Sequence, residues 1–395
     1  MRPYNQPSQL YFGPWIRKSP YFEATQRYGC LAYDVYNHTY LPAYYDDTVK
    51  DYWRMLRGVV VWDVAAERQV EITGTDAFAF TNLLTPRDLT QCAVGQCKYV
   101  LITDENGGII NDPVLLRLGE NHFWLSLSDS DVLLWAKGVA LNCGMDVRLG
   151  EPDVSPLQVQ GPKSKDVMQT LFGAKVLALP YYYLMEASLD GIPVVVTRTG
   201  WTAEVGYEIY LRDGSRGTDL WDRVMEAGKP HDIAPMAPSE IRRIEAGILN
   251  YGSDMRLDNN PYEVGLGWTV DLDQAADFIG KQALKRVKAE GVRRKLVGVE
   301  IHGEPLDGWL EERWPVHAAA EGQRIGHVSA VVYSPRLEKN IGYATVPTGH
   351  AGLGTRLTIG APDGARTATV VRKPFVDPKK DIPKSLTPTA KTMGR

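Results

Sequence analysis

Residues 99–113 read Tyr99-Val-Leu-Ile-Thr-Asp-Glu-Asn-Gly-Gly-Ile-Ile-Asn-Asp112-Pro113. Two β-rich runs, Lys98 to Thr103 and Ile109 to Leu118, flank Asp104-Glu105-Asn106-Gly107-Gly108. Asn-Gly supplies the positive-φ positions of a tight turn, so the stretch predicts a hairpin. Toward the N-terminus, Arg68 to Ile72 is a further β-rich run, and Asp76 to Leu84 after Gly74 is an expected helix. The same grammar returns beyond Glu151-Pro152-Asp153. Leu157 to Gln160 is strand-like, Pro162 to Leu171 helical, and Met185 to Leu189 and Ile192 to Thr197 flank the turn Asp190-Gly191 before a helix over Leu220 to Gly228. The repetition predicts two similar α+β units, 1–150 and 151–290. A Lys-, Arg- and Glu-rich connector, Ala283 to Arg294, leads to a third unit, 291–376. There the short β-rich pieces Leu296 to Ile301, Arg324 to Val332, Ile341 to Val346, Arg356 to Ile359 and Arg366 to Val371 predict a small β-barrel. Residues 377–395 have little to bury and are expected to be disordered.

The composition excludes several functions. The chain has 395 residues, 44% hydrophobic and 23% charged, enough apolar material for more than one core. A net charge of −4 offers no basic surface to nucleic acid or an anionic membrane. No apolar run is long enough to span a bilayer and residues 1–19 lack a leader's continuous apolar stretch, so a cytoplasmic protein is expected. Four cysteines make no disulfide framework and no two-residue-gap pair; seven histidines make no pair at helical ligand spacing. No strand-linked Gly-x-Gly-x-x-Gly calls for a nicotinamide. We expect no protein-held metal, and chemistry that arrives with a bound cofactor.

Three stretches narrow that cofactor. The first is the hairpin ending at Asn111-Asp112-Pro113. The second is Arg198-Thr-Gly-Trp-Thr-Ala-Glu204-Val-Gly-Tyr207-Glu208-Ile209. The third runs from Arg243-Ile-Glu-Ala-Gly247 through Tyr251-Gly-Ser-Asp254, Asn260-Pro-Tyr262-Glu263-Val-Gly-Leu-Gly267-Trp268 and Phe278-Ile-Gly280-Lys281. Tyr333-Ser-Pro-Arg-Leu-Glu-Lys339-Asn340-Ile-Gly342 and Lys373-Pro374-Phe375 follow in the barrel. In order and spacing these resemble the glycine-cleavage T-protein superfamily over roughly residues 30–375. The resemblance implies a three-domain ring with tetrahydrofolate in its central opening, and an enzyme of one-carbon transfer. Asp112 matches the family's central catalytic aspartate. Glu204 is the expected partner of the pterin edge, whose adjacent N–H and amine suit one carboxylate. Arg243 is the expected cation for the folate tail and Glu263 a second polar contact. Tyr99, Trp201, Tyr207 and Trp268 complete the expected folate-binding set.

Within the superfamily the branch is set near the N-terminus. Glycine-cleavage T-proteins read Phe-Asp-Val-Ser-His-Met-Gly where this chain reads Trp62-Asp-Val-Ala-Ala-Glu67-Arg68. That form, with Tyr36-Asn37-His38, Leu84-Thr-Pro-Arg-Asp-Leu89, Ser128-Asp-Ser-Asp131 and Trp314-Pro315, is similar to the dimethylsulfoniopropionate demethylases. The expected reaction moves a methyl group from a small sulfonium or betaine donor to N5 of tetrahydrofolate. Such a donor carries an already activated methyl group, and aromatic faces with a carboxylate suit it. A homodimer is left open, as are three other readings. These are an O-demethylase of methoxylated aromatics, the glycine-cleavage aminomethyltransferase, and a non-enzymatic folate-binding assembly factor.

Overall fold

In the computed structural model, residues 11–306, 310–318 and 322–386 are described. A five-stranded antiparallel sheet has the order Arg148–Gly150, Gln69–Thr73, His122–Ser126, Val114–Gly119, Cys97–Tyr99. Helices Ala77–Leu84 and Val132–Cys143 cover one of its faces, burying Val70, Ile72, Phe80, Leu115, Phe123 and Leu125. A second sheet has the order Leu184–Leu189, Ile192–Thr197, Gly206–Leu211, Ser155–Gln160, Val60–Asp63, Ala234–Pro235. Helices Ser164–Phe172 and Gly217–Gly228 pack on its outer face over Leu157, Val159, Val196, Tyr207 and Ile209. The inner faces of the two sheets meet at Cys97, Leu116, Trp124, Val195 and Tyr210. The layers therefore run helix, sheet, sheet, helix.

The expected halves interleave instead of dividing at residue 150. Val60–Asp63 pairs with Ser155–Gln160 and belongs to the second sheet, and the chain then crosses to the first at Gln69. Val61 fills the second unit's helix-side core, which fixes that choice.

The third unit is a closed six-stranded barrel around Val299, Val316, Val328, Val346 and Ile359. Its sixth strand, Trp314–His317, was not among the expected pieces; it joins Arg324–Ser334 to Arg356–Ala361 and closes the cylinder. The expected tail also differs. Residues 377–386 are ordered, with a helical turn at Asp381–Lys384 whose end accepts hydrogen bonds from Arg198 to the Pro383 and Lys384 carbonyls. Residues 387–395 lie outside the described residues.

The opening hairpin is broken at one level. Pro113 has no N–H to continue a ladder, so Ile109–Asn111 and Val114–Gly119 are separate strands. The tip pairs with itself at Ile102–Thr103, and Ile109 shares a core with Leu249, Val264, Leu296 and Tyr343. That core ties the first unit, the 247–268 segment and the barrel together. Asp112 is left in the gap between the two strands.

Candidate active site

A cavity of about 870 Å³ lies where the three units meet. Two cross-strand rows make its facing walls. Tyr99, Val114 and Ser126 are paired in register on the first sheet. Trp62, Gln158 and Glu208 are paired in register on the second. Alternation decides this second row: Val61, Leu157, Val159, Tyr207 and Ile209 point to the helices, so their neighbours point inward. The hairpin Ala32–Tyr36 and Thr39–Tyr44 forms another wall, its Asn37-His38 turn in the left-handed region and its tip held by Asn37 Nδ2 donating to the Ser128 carbonyl at 2.8 Å. Residues 247–268 and 373–380 supply the remainder.

A clamp positions Trp201. Gln160 accepts a hydrogen bond from Thr202 Oγ1 at 2.7 Å and donates to the carbonyls of Thr199 and Tyr207, both at 3.3 Å. A Cβ at Gly200 or Gly206 would collide with the Gln160 side chain, so both glycines are required for the loop to fold over it. The loop presents Trp201 to the cavity. Trp268, 60% exposed, stacks on Tyr99 with centroids 6.0 Å apart, and Arg87 lies 5.2 Å over its ring. Tyr99, Arg87 and Trp268 thus form one aromatic and cationic stack on the cavity wall.

Asp112 accepts a hydrogen bond from the Tyr99 hydroxyl at 2.8 Å, and its Oδ1 is buried with no partner among the described residues. Burial pushes its carboxyl up to about 7, against the lowering effect of hydrogen bonds from Ser128 and Tyr99. Glu208 accepts from Gln158 at 2.6 Å, Tyr210 at 3.0 Å and Thr199, yet burial still raises it. Burial also pushes Glu67 well up, with Glu208 and then Asp112 adding to the effect. Lys373 and Lys380 stand on another wall, each brought down to about 8 by burial.

Of the eight site residues expected from the sequence, Asp112, Tyr99, Trp201 and Trp268 line the cavity. The other four do not. Glu204 is bound to Arg242 at 2.8 Å, Tyr207 lies in the helix-side core, and Glu263 braces Arg294 at 3.2 Å. Arg243 is held bidentately by Glu240, with bonds at 2.7 and 2.6 Å, and by Asp254 at 2.6 Å. Its guanidinium is committed before any ligand arrives. Sequence reasoning overlooked Glu67, Glu208, Lys373 and Lys380. For Glu208, period-two alternation from Tyr207 was the available signal.

The matches to known proteins cover nearly all of this architecture. Residues 21–274 match the GCVT N-terminal domain and residues 294–377 the glycine cleavage T-protein C-terminal barrel domain. The chain belongs to the glycine-cleavage T-protein family. A dimethylsulfoniopropionate demethylase from Ruegeria pomeroyi is 38% identical over 355 residues, 90% of this chain and 96% of that protein. An aminomethyltransferase from Symbiobacterium thermophilum is 31% identical, covering 85% and 91%. The crystal structure of aminomethyltransferase T from Bartonella henselae superposes with a TM-score of 0.82 at 22% identity, covering 91% of this chain and 98% of that one, and shares its fold. T-protein family members transfer one-carbon groups with tetrahydrofolate, and this chain is an enzyme of that class acting on a small molecule. Among the described residues no helix is long and apolar enough to cross a membrane.

Proposed function

We propose that the protein demethylates a small cationic donor, a sulfonium such as dimethylsulfoniopropionate or a related betaine, and passes the methyl group to tetrahydrofolate. One observation carries the reading. Asp112, Glu67 and Glu208 share the cavity with Trp62 and Trp201, and among the described residues none of the three acids forms an ion pair with a Lys or Arg. Carboxylates buried without a cation are costly, and a positively charged ligand offsets that cost. The 38% identical demethylase supports the same reading.

The cavity suits tetrahydrofolate in three respects. Its volume is in the range of cofactor sites. The orphaned Asp112 Oδ1 awaits a donor, and the stack of Tyr99, Arg87 and Trp268 suits a flat ring. We assign the pterin edge to Glu208, since Glu204 is held by Arg242 off the cavity wall. Lys373 and Lys380 take the tail carboxylates in place of Arg243. Bound tetrahydrofolate would supply N5 as the nucleophile, its lone pair taking the methyl group as the methyl-to-heteroatom bond breaks with its electron pair left on sulfur or nitrogen, and the N5 proton would have to leave. Asp112, with a carboxyl near 7 and one free oxygen, is the acceptor for that proton.

The test is incubation with tetrahydrofolate and a panel of sulfonium, betaine and methoxyaromatic donors, with detection of 5-methyltetrahydrofolate. Sulfonium donors should give the highest kcat/KM. Faster turnover of a methoxyaromatic would replace this reading with O-demethylation, and methylene-tetrahydrofolate from an aminomethyl-lipoyl donor would replace it with the glycine-cleavage reaction.

A further inference from the structure

Glu67 occupies a turn that carries the chain from the second sheet to the first, its N–H donating to the Val64 carbonyl at 2.8 Å. The side chain therefore stands at the seam between the two walls. Its carboxylate accepts one described hydrogen bond, from Ser126 Oγ at 3.2 Å, and Ser126 in turn accepts from Gln69 at 2.8 Å. The three cavity acids differ in how well they are satisfied. Glu208 already has Gln158, Tyr210 and Thr199 as donors, and Asp112 is held by Tyr99. Glu67 and Asp112 each accept fewer hydrogen bonds than Glu208, and Glu208 and Asp112 both act on Glu67 as like charges. Tyr36, raised by burial and then by Asp112, also feels Glu67. Among the described residues no group of three acids, histidines or cysteines is placed to hold a metal ion. Tyr36 of the hairpin and Trp62 of the second sheet both line the cavity and supply aromatic faces that suit an organic cation.

We propose that Glu67 holds the positive charge of the methyl donor and so selects sulfonium and quaternary ammonium compounds over neutral methyl ethers. This rests on the demethylase reading above. It adds that the discriminating charge is on the turn at residue 67, where the aminomethyltransferase pattern places a methionine. Glu67 binds the donor and takes no part in moving the proton.

The full-length protein and its Glu67→Gln and Glu67→Asp variants would be titrated with tetramethylammonium, followed by tryptophan fluorescence. Each would also be assayed with dimethylsulfoniopropionate and titrated with tetrahydrofolate. In Glu67→Gln the tetramethylammonium Kd and the donor KM should both rise at least about tenfold, while kcat and the tetrahydrofolate Kd stay within about threefold. Glu67→Asp, which keeps the charge, should retain most of the affinity. The melting temperature of Glu67→Gln should hold, because burial and the neighbouring acids push the Glu67 carboxyl well up and favour its neutral form, which the amide mimics. A tetramethylammonium Kd within about threefold of the unmodified protein overturns the proposal, as does an equal loss of tetrahydrofolate affinity. If no sulfonium is demethylated but cation binding still depends on Glu67, the demethylase reading fails and the cation site stands. If sulfonium turnover is robust and Glu67→Gln leaves KM unchanged, the reading stands and the assignment of Glu67 falls.

Discussion

Two groups of buried acids in this molecule keep opposite company. At the joint between the second unit and the barrel, Glu204 meets Arg242, while Glu240 and Asp254 meet Arg243. Glu245 there accepts from Tyr52 at 2.7 Å and Ser334 at 2.6 Å, and Asp254 accepts from Ser329 at 2.7 Å. In the cavity, Asp112, Glu67 and Glu208 have hydroxyl and amide donors but, among the described residues, no ion pair with a Lys or Arg. Glu204 and Glu208 are only four residues apart in one motif. The difference teaches that a charge already neutralised by the fold holds domains together, whereas one left uncompensated is available to a ligand.

The comparison can be broken most directly at the joint. Arg243→Ala would strand Glu240 and Asp254 and should cost about 3–5 kcal/mol in denaturant unfolding. A loss below about 1 kcal/mol would show that the joint is not held by charge. Next in size, Asp112→Asn should lower kcat by about 10²–10³-fold while tetrahydrofolate still binds. In the unmodified enzyme kcat should rise with pH through about 7 as Asp112 ionises; a profile flat across that range would remove it as proton acceptor. Glu208→Gln should raise the tetrahydrofolate Kd about ten- to a hundredfold, whereas Glu204→Gln should leave it within about threefold. The reverse pattern would return the pterin to Glu204.

The last effect concerns stability. The Asp112 carboxyl lies near 7 in the folded protein, above its unfolded value near 4. The folded state thus keeps a proton that the unfolded chain sheds. The stability this provides is fully present below about pH 4 and lost as pH rises through about 7. Asp112→Asn cannot ionise, so it should be about 4 kcal/mol more stable than the parent at pH 8 and equal to it near pH 4, by thermal unfolding. A variant less stable at pH 8 would mean that the charge is compensated after all.

Much of the architecture was legible because local signals agree with the fold. The Asn106-Gly107 turn, the helices at Ala77–Leu84 and Gly217–Gly228, and five of the six barrel strands follow from turn chemistry and apolar periodicity. Trp314–His317 escaped because four residues containing a proline carry little strand signal. The Val60–Asp63 crossing escaped because sheet membership is a tertiary choice. At the site, Asp112, Tyr99, Trp201 and Trp268 were expected from the family motifs, and all four line the cavity. Those motifs give positions but not directions. Tyr207 and Glu208 lie on opposite faces of one strand, and Arg243 is enclosed by acids at 240 and 254 that only folding brings together. Glu67 and Lys380 are more than 300 residues apart, and no local pattern joins them.

The cavity wall at residues 373–380 has a bearing on biosynthesis. A ribosome makes the hairpin at 32–44 first and both sheets next, then the barrel, and only afterwards the lysines at 373 and 380 that face the same space. Until translation has passed Lys380, the cavity lacks this wall. An early stop codon anywhere before residue 373 would therefore release a chain without a complete pocket.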